Sequence, residues 1–263
     1  EWDTEGADLP HIRLPGMQDA LISAVAKANP NAIVVLQTGG AVEMPWLDEV
    51  AAVFQAWYPG QEAGNAIADV LFGKAEPGGR LAQTFPAKWS DNPAHSQDPE
   101  VYPGHNGKVR YEEGLFTGHR HYDKTGIQPL FPFGFGLSYT TFAWSDLRVS
   151  MDGDTVTAEL DVTNTGPRAG SEVVQVYVED PSPILPRPRR ELKAFEKLHL
   201  APGETKTAKM TLGPRDFACF DADARGWVAR AGGFVLQAGA SAADIKSSAP
   251  VTRAAEWREA ARK

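Results

Sequence analysis

The sequence of 263 residues holds one cysteine, Cys219. A single thiol excludes an intrachain disulfide and any cysteine-based metal centre. Cys219 lies in the run Asp-Phe-Ala-Cys-Phe-Asp and reads as a small apolar core residue. No apolar run approaches the length a membrane-spanning helix needs. Positive charge is scarce: 26 Lys and Arg stand against 34 Asp and Glu, a net charge of -8. That balance disfavours nucleic acid or an anionic membrane as a partner. Phosphate-binding motifs are missing too. Thr38-Gly39-Gly40 is too short to cradle a phosphate, no Gly-Lys-Ser/Thr follows it, and Gly60 and Gly64 make no dinucleotide fingerprint. A nucleotide-binding protein is therefore the remotest reading. The chain opens on Glu1, without Met or a signal-peptide pattern, and is expected to be processed or a fragment. Its cysteine-poor composition suits cytoplasm and periplasm equally.

What is present describes a globular chain, with 42% hydrophobic and 23% charged residues. Two textures follow one another. Met17, Leu21, Ile22, Val25 and Ala28 recur at helical spacing, and Asn29-Pro30 stops them. Ile33-Val34-Val35-Leu36 is a continuous apolar run, as expected of a parallel strand covered on both faces. Thr38-Gly39-Gly40 then makes a tight strand exit at the carboxyl end, where open α/β sheets bind ligands. A short helical segment near Trp46 to Ala51 leads to a second strand in Val53 to Trp57. Ala63, Ile67, Val70 and Leu71 form a further helical face that Gly73 caps, and Gly79 to Phe85 reads as a third strand. The alternation predicts an α/β fold with a mostly parallel sheet.

Residues 87–135 turn to Pro, Gly, His and aromatics without periodicity, a length that is usually functional or interface-forming. Beyond Trp144, Val156, Ala158, Leu160 and Val162 alternate with polar residues, as do Val174, Val176 and Val178. Turn clusters at Asn164-Thr165-Gly166-Pro167 and Ala201-Pro202-Gly203 separate them, which predicts an antiparallel, immunoglobulin-like all-β sandwich. The expected boundaries are 1–143 for the α/β part, 144–253 for the sandwich and 254–263 for a charged, helix-prone tail. A partial α/β sheet should also present an unpaired edge and an apolar patch, making the isolated chain prone to aggregate.

Three blocks resemble family 3 glycoside hydrolases of the β-glucosidase kind. They are Trp57-Tyr58-Pro59-Gly60-Gln61-Glu62-Ala63-Gly64 running on to Gly73, with Pro77-Gly78-Gly79-Arg80-Leu81 after it; Arg110-Tyr111-Glu112-Glu113-Gly114-Leu115-Phe116; and Phe131-Pro132-Phe133-Gly134-Phe135-Gly136-Leu137-Ser138-Tyr139. The resemblance implies the C-terminal portion of such an enzyme: part of an α/β sandwich domain, then a fibronectin type III-like domain. It implies a nucleophilic Asp on an N-terminal barrel domain, and no segment here matches the nucleophile motif. A retaining glycosidase needs two carboxyl groups about 5–5.5 Å apart, so the isolated chain is expected to be inactive. No cofactor and no metal are implied; the expected partners are the barrel domain and a β-glucoside or oligosaccharide.

Glu1-Trp2-Asp3-Thr4-Glu5-Gly6-Ala7-Asp8 resembles the segment that carries the family's general acid/base. The match points to Glu5, with Glu1 as the competing choice and a solvated acidic terminus as the plain alternative. An acid/base here protonates the leaving-group oxygen and later deprotonates water, which requires a raised pKa beside an ionised nucleophile. Gly6 lets backbone approach a sugar closely. Trp2 is a candidate sugar-stacking platform, against the commoner role of interface packing. Glu112 and Glu113, with Arg110, His119, Arg120 and His121 nearby, read first as an interface loop packing against the barrel. As an acid/base or metal candidate the group depends on His119 and His121 alternating along a strand, and a metal site usually brings a fuller ligand set. Phe131 to Tyr139 reads as a domain junction, and Arg187, Arg189 and Arg190 as a solvated loop. The main rival to an enzyme component is a non-catalytic carbohydrate-binding or scaffold module.

Overall fold

The computed structural model describes residues 9–261. They divide into two compact units. Among the described residues, unit 1 holds 9–75, 83–122 and 126–132, and unit 2 holds 76–82, 123–125 and 133–261.

Unit 1 carries α1 (Gln18–Ala28), β1 (Ile33–Leu36), β2 (Ala52–Gln55), α2 (Ala63–Leu71) and the first four residues of α3 (His119–Thr125). The apolar tetrads of β1 and β2 pair in parallel, from Ile33 opposite Ala52 to Leu36 opposite Gln55. Asn29 ends α1 in an extended conformation, and its side-chain oxygen accepts from the Asn31 amide at 2.9 Å, turning the chain into β1. The connection from β1 to β2 contains a 3-10 turn at Leu47–Glu49. Just before it, the fully buried Trp46 indole donates to the Asp19 carboxylate of α1 at 2.8 Å. Gly73 adopts φ +71 after α2, the left-handed conformation that a helix-terminating glycine supplies without strain.

Two expectations change here. Among the described residues β1 is not covered on both faces: Leu36 is buried, but Ile33 is 51% exposed. Two short strands with two longer helices are too few layers to close both sides. The third strand also fails to form. Phe85 makes only an isolated bridge to Phe131, and Leu81 instead exchanges backbone hydrogen bonds with Phe135 and Gly134, each 2.8 Å. Arg80 explains the diversion, because its guanidinium is buried against Glu172 at 2.8 Å and holds this segment in unit 2.

Unit 2 is a β-sandwich built from β3 (Phe142–Trp144), β4 (Arg148–Asp152), β5 (Thr155–Asn164), β6 (Gly170–Glu179), β7 (Arg190–Leu200), β8 (Thr205–Leu212), β9 (Cys219–Asp221), β10 (Gly226–Ala229), β11 (Gly232–Ser241), β12 (Asp244–Arg253) and β13 (Trp257–Ala260). One sheet runs β12-β11-β6-β7; in the other, β5 pairs with β3 and β4 on one side and with β8 on the other. Between them lie Val156, Ala158, Leu160 and Val162 of β5, Val174, Val176 and Val178 of β6, and Phe234 and Leu236 of β11, all buried. Each of the Val, Leu and Phe side chains among them contributes about 1.5–3 kcal/mol on burial. The opposite face of β6 is buried as well, but it is polar: Gln175 donates to the carbonyl of Ala240 at 2.8 Å and accepts from Tyr177 at 2.6 Å.

The tail is a strand rather than a helix. Residues of β13 pair antiparallel with β10, and Trp257 packs on the sandwich core, so burial of one ring overrides a weak helical preference. Nor are the arginines of the 187–190 loop all solvated. The Arg187 side chain is 3% exposed, lies 3.6 Å from Asp180, pairs with Glu191 and donates to the Phe217 carbonyl at 3.0 Å. Arg190 sits 2.9 Å from Asp123, and only Arg189 of the three projects into solvent. Cys219 is half-buried on β9, and burial pushes its thiol pKa up.

Candidate functional site

Glu5, Trp2, Glu1, Asp3, Gly6 and Asp8 all lie outside the described residues. The structure does show how the chain immediately after them is held. The Leu9 carbonyl accepts from the Tyr102 hydroxyl at 2.5 Å. Tyr102 packs edge-on against Trp89, ring centres 5.3 Å apart, and Trp89 packs likewise on His95 at 5.7 Å. The Trp89 amide donates to the Glu43 carboxylate at 2.5 Å, and the Glu43 amide donates to the Ile12 carbonyl at 2.8 Å. Arg13 pairs with the same carboxylate at 3.4 Å. Leu9 to Arg13 is thus gripped at both ends by one aromatic and polar bracket within unit 1.

That bracket lies at the carboxyl end of β1. The turn at residues 29–32 joins α1 to the start of β1, so α1 begins at the other end, and the Ile12–Glu43 bond ties its leader to the chain that leaves β1. The carboxyl ends of β1 and β2 are closely fitted. The Tyr58 ring lies directly on Gly39, where an added Cβ would come within 2.4 Å of the Tyr58 hydroxyl. Gln55 donates to the Thr38 carbonyl at 3.1 Å, and Trp57 holds a left-handed φ of +54.

The second carboxylate pair is placed in part by an ion-pair cluster. Glu112 is committed to Arg110 at 2.7 Å, and the same guanidinium reaches Asp98 at 2.8 Å and Glu100 at 3.4 Å. A hydrogen bond from the Glu100 amide, followed by the Arg110 contact, holds the Asp98 carboxyl below its usual range. His119 and His121 sit on α3, not on a strand, so their two-residue spacing turns them to different sides. Among the described residues, no group of three or more His, Cys, Asp or Glu is placed to hold a metal ion. Tyr122 is buried, and burial together with Asp91 pushes its phenol pKa up to about 12.

Residues 1–139 match the glycosyl hydrolase family 3 C-terminal domain, and residues 172–242 match a fibronectin type III-like domain. The chain belongs to glycosyl hydrolase family 3. Among its family 3 relatives, a beta-glucosidase of Rhizobium radiobacter is 58% identical over 95% of this chain, which spans 31% of that protein. Thermostable beta-glucosidase B of Acetivibrio thermocellus is 46% identical over 93% of the chain and 32% of its own length. DesR, a beta-glucosidase from Streptomyces venezuelae solved with D-glucose, superposes with a TM-score of 0.92 at 43% identity, over 96% of this chain and 33% of DesR. The beta-glucosidase of Kluyveromyces marxianus solved with glucose gives 0.93 at 42% identity, over 98% of this chain and 31% of its own. The chain therefore spans about a third of the length of the family 3 proteins it matches.

Glu43, Trp89 and Tyr102 carry no individual mark in the sequence. The signal for Trp89 and Tyr102 is compositional only: they belong to the aromatic, aperiodic segment after Ala87, in which no single residue stands out. Glu43 carried no signal, because nothing local distinguishes an acid that caps a distant amide from one in solvent.

Proposed function

We propose that this family 3 chain is the C-terminal part of a retaining, exo-acting β-glucosidase that removes terminal non-reducing β-D-glucosyl residues. The observation that carries the reading is the 58% identity over 95% of the chain to a protein named beta-glucosidase. Glu5 supplies the acid/base: it protonates the glycosidic oxygen as the bond to the anomeric carbon breaks, then takes a proton from the water that releases the sugar. The nucleophile is an Asp on the barrel domain of a longer polypeptide, the partner this reading requires. Trp2 stacks on the apolar face of the sugar. Residues 1–143 form the α/β part that faces substrate, 144–253 the fibronectin type III-like sandwich, and 254–263 the tail.

The test is hydrolysis of p-nitrophenyl β-glucoside and of cellobiose by this chain alone, by the longer polypeptide that carries it, and by its Glu5→Gln variant. No turnover is expected from the chain alone. Glu5→Gln should lower cellobiose turnover by roughly 10²–10⁴-fold, the usual worth of a positioned proton donor, and should hurt the phenolate substrate least. Hydrolysis by the chain alone would overturn the division of catalytic groups. Unchanged cellobiose turnover in the variant would overturn the assignment of Glu5.

A further inference from the structure

We propose that Lys193 is a carbonyl-reactive amine: it condenses with short aldehydes to form an imine, at a site built by a bulge in β7 and the charged groups packed around it. The proposal is independent of the catalytic reading above and lies wholly within unit 2. It begins with the register of β6 and β7. Val176 faces Ala194 and Tyr177 faces Leu192, so Lys193 is the extra residue of a bulge. A bulge re-aims the side chain it carries. Here that side chain is 18% exposed, enough for a molecule of two or three carbons to reach its tip.

The amine is poorly compensated where it lies. One oxygen of Glu191 is 3.6 Å away, longer than an ordinary hydrogen bond. The other oxygen is taken by Arg187, through Nε at 3.2 Å and through Nη2. Asp180, which Arg187 also reaches, accepts from Arg230 at 3.0 Å, and Asp216 accepts from the Gly213 amide at 2.8 Å. Each of these carboxylates has a better-placed partner than Lys193. An arginine keeps its charge in such a competition, so the lysine is the group that can give its charge up. Burial, first of all, holds the Lys193 amine below its usual range; Glu191 opposes this, Arg187 adds to it and Asp216 opposes it again. A desolvated lysine beside another cation is an activated nucleophile. The step needs no oxidant or reductant. The ammonium first sheds a proton, which the Glu191 oxygen is placed to receive. The amine lone pair then adds to the aldehyde carbon, the carbonyl oxygen takes up a proton, and the carbinolamine loses water to leave the C=N bond.

The test treats the 263-residue chain with limiting glycolaldehyde and sodium cyanoborohydride, which traps the imine as a secondary amine, and follows each lysine by peptide mass spectrometry. At about pH 7 Lys193 should be labelled at least about fivefold faster than the exposed Lys27. At about pH 10.5, where ordinary lysines also lose their proton, that preference should disappear. In concentrated urea at about pH 7, which dissolves the cluster, the two rates should become equal. Labelling of Lys193 no faster than that of Lys27 in the folded chain at neutral pH would overturn the proposal. A preference that persists in urea would also sink it, because it would belong to the local sequence and not to the folded cluster. So would a preference unchanged at high pH, which would owe nothing to the free amine.

Discussion

Unit 2 closes on itself and unit 1 does not. In unit 2 the alternating residues of β5, β6 and β11 meet each other, and almost every large apolar side chain they contribute is buried. In unit 1, α1 turns Ile22 and Ala26 inward but leaves Met17 77% and Leu21 62% exposed, and Phe72 after α2 is 82% exposed. A helix that is apolar on two sides is ordinarily covered on two sides. The difference teaches that unit 2 carries within its own sequence the partners of its apolar residues, whereas unit 1 carries apolar residues whose partners are not among those described.

Substitutions can break that comparison directly. Phe217 is fully buried in unit 2, edge-on to Phe234 at 5.2 Å. Phe217→Ala should destabilise unit 2 by about 3–5 kcal/mol, read as a lowered urea midpoint. Leu21→Ala in the same chain should change stability by less than about 0.5 kcal/mol, as for other exposed positions. In the longer polypeptide the same Leu21→Ala should cost about 2–5 kcal/mol if that face is covered there. A cost no larger than in the isolated chain would show that unit 1 is complete with its apolar stripe in solvent.

The next effect concerns the segment that left unit 1's expected third strand. Arg80 and Glu172 are both about nine-tenths buried, and the guanidinium also donates to the Ser171 carbonyl at 3.2 Å. Arg80→Met leaves a buried carboxylate without its partner and should cost about 3–5 kcal/mol. Adding Glu172→Gln should recover much of that loss, because the uncompensated charge is then gone. A single variant as stable as the parent would mean that the backbone bonds of Leu81 to Phe135 and Gly134 hold the segment alone.

The same contrast decides what could be read in advance. Alternation announced the sandwich because β5 and β8 each alternate a buried face with a more exposed one, and β6 an apolar face with a polar one, a period that survives in the sequence. β1, β2, α1 and α2 were legible from local apolar runs and their stops at Asn29-Pro30 and Gly73. Illegible were the features set by distant partners. Gly79 to Phe85 looks like a strand until Arg80 finds Glu172, the tail looks helical until Trp257 finds the core, and Arg187 looks solvated until Asp180 and Glu191 enclose it. The proposed site shows the same limit. A family pattern can point to Glu5, but the bracket that holds the described chain from Leu9 onward joins Leu9, Ile12, Glu43, Trp89 and Tyr102 across more than ninety residues.

The smallest effect compares one kind of ion pair in the two units. In unit 2, Arg148 and then Thr207 donate to Asp161 and hold its carboxyl below the usual carboxylate range. In unit 1, the Glu100 amide and then Arg110 do the same for Asp98. A carboxyl whose pKa is lower folded than unfolded binds fewer protons in the native state, so its contribution is fully present above the unfolded value and is lost as pH falls through the folded one. Asp161→Asn should therefore lower the urea midpoint slightly at neutral pH, and the difference from the parent should shrink and vanish as pH falls below the usual carboxylate range. Both pairs are solvent-facing, so 1 M salt should shrink the difference as well. Asp98→Asn offers the matching measurement for unit 1. If the units melt together, the two variants shift one common transition. If unit 1 is held weakly for want of cover, Asp98→Asn moves an earlier transition of its own and leaves that of unit 2 unchanged, and the acid dependence then reports on each unit separately.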